Sequence, residues 1–124
     1  MDITDIIGKL KRNLDDTDDN RKYVGYLLST LDPDCPYDDW RNIIWALEFL
    51  VTDYYWEEDW VKELLIEWSK TSKNHKWTRD TAISFGNIWK YARGRTKETK
   101  KDERIKIGTF FFKVEQNQKE VSNG

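Results

Sequence analysis

Residues 35–52 read Cys35-Pro36-Tyr37-Asp38-Asp39-Trp40-Arg41-Asn42-Ile43-Ile44-Trp45-Ala46-Leu47-Glu48-Phe49-Leu50-Val51-Thr52, and this stretch decides the fold. Trp40, Ile43, Ile44, Leu47, Leu50 and Val51 recur at the three- and four-residue spacing that lines one face of an α-helix. Pro36 fits a first helical turn, where its missing N–H costs nothing, and Asp38 and Asp39 suit the positive end of the helix dipole. The stripe is the most hydrophobic in the chain and predicts a central helix through about Thr52.

The same period extends in both directions. Upstream, Ile3, Ile6, Ile7, Leu10 and Leu14 predict a helix over 3–14 with Asp2 as its cap. Asp15 to Asn20 is a polar break able to cap a second helix. Tyr23, Val24, Leu27, Leu28 and Leu31 form the stripe of that helix, which stops at Asp32-Pro33. Downstream, Asp53–Asp59 reads as an acidic, aromatic connector. Trp60, Val61, Leu64, Leu65 and Trp68 predict a helix to about Ser69, and Lys70–Lys76 a polar turn. Ile83, Phe85, Ile88 and Trp89 predict a fifth helix over 78–91. Arg93–Arg104 is a Lys/Arg/Glu/Thr stretch without apolar residues and reads as a solvated loop. At the end, Ile105-Lys106-Ile107 alternates like a strand, whereas Phe110, Phe111 and Val114 suit a helix capped by Thr109. The helix is the better reading, because a lone strand has no partner. The expected fold class is all-α, a compact bundle of five or six short helices. Its divisions are an N-terminal helix and polar linker (1–19), the bundle (20–117) and a frayed tail (118–124).

Composition supports this reading. The 124 residues are 38% hydrophobic and 35% charged, with a mean hydropathy of −0.87, so the chain is polar on average. Seven Trp, six Tyr and five Phe still supply a core, since each large ring buries roughly 150–250 Å². Two Pro and six Gly are too few for a turn-rich β-sandwich or a disordered linker. One Cys excludes a disulfide framework and a cysteine-based zinc module, and suits a reducing compartment. No apolar run reaches the ~20 residues of a membrane span, so the expected setting is cytoplasmic, with no membrane partner.

Net charge of −2 conceals a polarity. Residues 1–59 carry 15 acids and 6 bases, whereas residues 60–124 carry 8 acids and 15 bases. Between Lys70 and Lys106, 12 bases face only Asp80, Glu98, Asp102 and Glu103. Binding depends on local potential rather than the average, so a basic region on an acidic chain is still a candidate phosphate site. The candidates are Lys70, Lys73, Lys76, Arg79, Lys90, Arg93, Arg95, Lys97, Lys100, Lys101, Arg104 and Lys106. Six of them crowd the Arg93–Arg104 stretch.

No catalytic set accompanies them. Gly86 and Gly94 do not form the glycine pattern that cradles a phosphate. His75 and Cys35 are far apart in sequence for a nucleophile pair. Asp32-Pro33-Asp34 has the form of a paired-carboxylate metal motif but sits where a turn needs Asp. Glu57-Glu58-Asp59 precedes a helix and complements its dipole. No metal site is therefore expected. Trp40, Trp45, Trp60, Trp68 and Trp89 fall on or beside helical stripes and read as core. Trp77 differs, because it sits in the basic turn Lys73–Arg79. There it either stacks on a nucleobase or folds back as a staple for the next helix. Tyr91 is a second candidate platform.

Tyr37 to Leu47, Leu65-Ile66-Glu67-Trp68-Ser69, Trp89 and Ile107-Gly108-Thr109-Phe110 together resemble the primase C-terminal helical domain family. This is similar to the helix-bundle domain of archaeo-eukaryotic-type primase-polymerases of plasmids, phages and large DNA viruses. The resemblance covers roughly residues 20–115 and rests mainly on core and cap residues. It implies a non-catalytic accessory role in DNA replication, engaging single-stranded template and initiating nucleotides during primer synthesis. The implied partners are single-stranded DNA, a nucleotide such as ATP with Mg²⁺ as initiating substrate, a catalytic primase-polymerase domain and a helicase domain. No tightly bound cofactor is implied. The alternative is a protein-interaction module whose acidic half docks a polymerase or helicase without touching nucleic acid.

Overall fold

The computed structural model of the chain describes residues 2–95 and 105–123, and among them it holds six helices and no strand. The all-α expectation holds. α1 (Ile3–Arg12) starts where the Asp2 carboxylate accepts the Thr4 N–H at 2.9 Å, and it buries Ile6, Ile7 and Leu10. α2 (Asp18–Ser29) starts where Thr17 Oγ1 accepts the Asn20 N–H at 3.1 Å, so the polar break does cap the second helix. Asn20 is buried and satisfied. Its side-chain amide donates to the carbonyls of Asn13 and Asp15 at 3.0 and 2.8 Å, which ties α1 to α2.

α3 (Tyr37–Tyr54) is the hub, packed chiefly on α6 (Ile107–Asn123) and α5 (Arg79–Arg95) and then on α4 (Glu58–Lys70). Ile44, Leu47 and Leu50 on α3 are fully enclosed, as are Phe110 and Val114 on α6. α1 packs on α2 and α6, and α2 on α4. Indole N–H groups lock the elements together, because a buried donor must find an acceptor. Trp56 donates to the Leu14 carbonyl at 2.7 Å, Trp68 to that of Leu31 at 2.9 Å, and Trp89 to Glu58 Oε2 at 2.8 Å.

Several boundaries move. α3 runs to Tyr54, and Tyr55 ends it in the left-handed region at φ 59°. The acidic connector therefore shrinks, and its Trp56, 2% exposed, belongs to the core. α5 extends to Arg95, into the stretch expected to be loop, because Ala92 is buried and Arg93 is held by two carboxylates. The rest of that stretch, 96–104, lies outside the described residues. α6 begins at Ile107, so Thr109 is not its cap; the Thr109 N–H bonds back to the Lys106 carbonyl at 3.0 Å. Ile107 is drawn into the helix because its side chain is buried. The helical backbone of α6 continues to Asn123. Trp68 and Trp89 are buried as expected, whereas Trp40, Trp45 and Trp60 are partly buried against the core. Ile83, counted among the apolar residues of α5, is 52% exposed.

A candidate nucleic-acid interface

Two turns meet at the N-terminal end of α3. In the first, Asp32 Oδ1 accepts the Asp34 N–H at 2.8 Å, which closes Asp32-Pro33-Asp34 as a turn. Among the described residues no group of three or more His, Cys, Asp and Glu is placed to hold a metal ion. The Asp34 carboxylate instead anchors the second turn, accepting the Ser72 hydroxyl and the N–H groups of Lys73 and Asn74 at 3.1 and 3.3 Å. The Ser72 hydrogen bond is the main reason its pKa falls below the ordinary value, with the two backbone donors and His75 adding to it and burial opposing. Ser72 Oγ also accepts the His75 N–H at 2.9 Å, so the basic turn is built rather than loose.

α5 is then launched by a reciprocal cap. Thr78 Oγ1 accepts the Thr81 N–H at 3.2 Å, and Thr81 Oγ1 accepts the Thr78 N–H at 3.3 Å. Trp77, just before this cap, lays its ring 6.1 Å from that of Phe85. Across from it, Trp40 donates its indole N–H to Ser69 Oγ at 3.0 Å.

Between these parts lies a cleft of about 670 Å³. That is within the ~300–1,000 Å³ usual for small-ligand sites. Tyr37, Trp40 and Trp77 give it aromatic walls; Ser69, Ser72, Thr81 and Ser84 give it hydroxyls; Asp34 and Asp80 give it carboxylates. His75 and Cys35 also line it. Burial first, and Asp39 second, push the Cys35 pKa up, which disfavours the nucleophilic thiolate there.

The basic candidates divide. Lys73, Lys76 and Arg79 are exposed on the turn and first helical residue that frame the cleft, with no ion pair among the described residues. Lys70 pairs with Glu67 at 3.6 Å. Lys90 is exposed on α5, and Lys106 is half-buried before α6. Arg93 serves the fold: it lies 3.5 Å from the buried Glu48 and 3.2 Å from Glu58, and bonds Thr52 at 3.1 Å. The Arg95 side chain, with Lys97, Lys100, Lys101 and Arg104, lies outside the described residues. Trp77 packs against the core, as a staple would, and also lines the cleft. Tyr91 is 57% exposed, with its ring 5.8 Å from Trp45.

Sequence reasoning missed Tyr37, Trp40, Asp34 and Asp80 as parts of the cleft. No signal in the sequence set Tyr37 apart: it lies three residues before Trp40 and seven before Ile44, in register with the stripe of α3, yet is 57% exposed. At the opposite end of α3, about 27 Å away for 18 residues, an acidic corner forms. Asp16 accepts the Glu57 N–H at 3.1 Å, and Arg21 pairs with Asp16 at 2.6 Å and Glu57 at 3.4 Å. Exposed Asp15, Asp18, Asp19 and Asp59 belong to the segments joined there.

The family model described as Primase C terminal 2 (PriCT-2) matches residues 25–113. No curated protein and no solved structure matches the chain. The matched span includes the whole cleft and leaves α1 outside it.

Proposed function

Because the chain belongs to the Primase C terminal 2 (PriCT-2) family, we propose that it serves a primase as a non-catalytic domain that holds single-stranded template and the initiating nucleotide. Family membership places it with primase proteins as an accessory, C-terminal type of domain. The finer reading rests on one observation: a cleft is walled by three aromatic rings, and Lys73, Lys76 and Arg79, next in sequence to its lining residues Ser72, His75, Trp77 and Asp80, are exposed and make no ion pair with a described residue. Rings that stack on bases beside cations that track phosphates make up the usual apparatus of single-strand binding. Synthesis itself falls to a separate catalytic domain, with ATP or another nucleotide and Mg²⁺ as substrate and a helicase as a further partner.

Salt-titrated fluorescence anisotropy on a short single strand tests this. Three or four phosphate contacts give a slope of about −2 to −3 in log K against log salt. Replacing Lys73, Lys76 and Arg79 together by Ala flattens the slope while the helical circular dichroism stays. Affinity independent of salt, or none at low salt, rejects the proposal.

A second reading has its own support. The acidic corner around Asp16 and Glu57 carries Tyr55, 87% exposed, and would suit docking of a basic surface on a polymerase or helicase. It needs no nucleic acid, and the same titration separates the two.

A further inference from the structure

The cleft lacks what a phosphate pocket needs. No Lys or Arg lines it, whereas Asp34 and Asp80 do. Two carboxylates repel an anion, so the phosphates of a bound strand stay outside, on the framing cations. What enters is the uncharged part of a nucleotide. Asp34 is already committed to Ser72, Lys73 and Asn74. Asp80, the second residue of α5, makes no hydrogen bond or ion pair with any described residue. One turn along the same face, Ser84 also lines the cleft.

An ionised carboxylate is purely an acceptor. Asp80 is exposed, so water serves it in the free protein, and a base edge that presents two donors side by side can take the place of that water. Guanine does so through N1–H and its 2-amino group, with a carbonyl acceptor next to them. Adenine and cytosine set an acceptor beside their amino group, and thymine has one N–H between two carbonyls. We propose that the cleft is a guanine-selective subsite of the template strand. The base stacks between Trp40 and Trp77, Asp80 accepts from N1–H and the 2-amino group, and the Ser84 hydroxyl donates to O6. Lys73, Lys76 and Arg79 take the flanking phosphates. This assignment rests on the reading of the chain as a single-strand binder.

The test uses labelled heptathymidylates that carry dG, deoxyinosine, dA, dC or dT at the central position, bound to the wild-type chain, to Asp80→Asn and to Ser84→Ala. Asn keeps the side-chain volume of Asp80, and circular dichroism checks that the helices persist. The expected result is that dG binds about tenfold tighter than dT, dA or dC. Deoxyinosine, which lacks only the 2-amino group, falls in between. Asp80→Asn abolishes the preference, and Ser84→Ala narrows it, both with an unchanged salt slope. Salt-dependent binding with no base preference overturns the guanine assignment and leaves the strand reading standing. A preference that survives Asp80→Asn overturns the role of Asp80. Absence of binding to all five strands at low salt overturns both.

Discussion

The indole N–H of Trp40 donates to Ser69 Oγ at 3.0 Å, and the Ser69 hydroxyl donates on to the Leu65 carbonyl at 2.8 Å. This relay joins the start of α3 to the end of α4 and holds one wall of the cleft at a fixed angle. Ser69 is 7% exposed, so its loss leaves the Trp40 donor without a partner in a half-buried place. Ser69→Ala is expected to cost about 1–3 kcal/mol of stability in urea unfolding. It should also weaken strand binding, because Trp40 no longer has one preferred rotamer.

Two tryptophans on either side of the basic turn should respond in opposite ways. Trp68 is buried and bonded to the Leu31 carbonyl, so Trp68→Ala loses both transfer energy and a hydrogen bond and leaves a cavity. A loss of about 3–5 kcal/mol is expected. Trp77 is half-buried with one aromatic neighbour, and Trp77→Ala should cost about 1 kcal/mol of stability. Its strand affinity should fall by about 1–3 kcal/mol, the usual value of a base–aromatic stack. Thermal melts and anisotropy on the two variants decide the matter.

The contrast between those residues also marks how far the amino-acid sequence could be read. α1 to α4 were legible because their apolar stripes have clear helical spacing, and α1 to α3 also carry Asp, Thr or Pro at their N-terminal caps. The C-terminal reach of α5 was not legible. It depends on Arg93 meeting Glu48 and Glu58, residues 45 and 35 positions earlier in the chain. The start of α6 was misread for a related reason: Ile107 is held by burial, whereas Thr109 merely has the chemistry of a cap. The basic turn was legible as charge. The cleft was not, because Asp34, Tyr37 and Asp80 are ordinary turn and first-turn residues until Ser72 and Trp77 are brought to them.

Asp34 gives that turn a pH dependence of definite sign. Its folded-state pKa lies below the ordinary value of 3.8, chiefly through the Ser72 hydroxyl. Ionisation therefore favours the folded form. The contribution is fully present above about pH 3.8 and is lost as pH falls through the folded-state value. Asp16, lowered chiefly by its bond to Arg21, acts in the same direction. The gap in melting temperature between wild type and Asp34→Asn should thus be constant near neutrality and close below that pH. A gap that persists unchanged to pH 2.5 would show that the anchor does not depend on ionisation.

Arg93 is expected to behave as a structural residue in spite of its charge. Glu48 has a side chain only 5% exposed, lies 3.5 Å from Arg93 and also accepts the Thr52 hydroxyl. Removing the guanidinium deprives a buried carboxylate of this cation. Arg93→Ala should cost about 2 kcal/mol. Arg93→Ala combined with Glu48→Gln should recover part of that loss, since the amide no longer needs a counter-charge. Recovery in the double variant, measured by urea unfolding, separates this role from a phosphate contact, which would show as a changed salt slope with unchanged stability.

Tyr55 closes α3 at φ 59° with its ring 87% exposed. A side chain in the left-handed region costs about 1–2 kcal/mol, because Cβ crowds the following carbonyl. Burial does not offset that cost here, since the ring touches so little. Glycine takes the same conformation freely but loses about 0.5–1 kcal/mol of unfolded-chain entropy on folding. Tyr55→Gly should therefore stabilise the chain by about 0.5–1 kcal/mol. Tyr55→Ala should be close to neutral, because it retains the Cβ that causes the crowding. Neither change should alter strand binding, since the cleft lies at the other end of α3. Urea unfolding of the two variants, with anisotropy as the control, measures this. A stability loss in Tyr55→Gly would mean that the phenol ring contributes packing that outweighs the backbone strain.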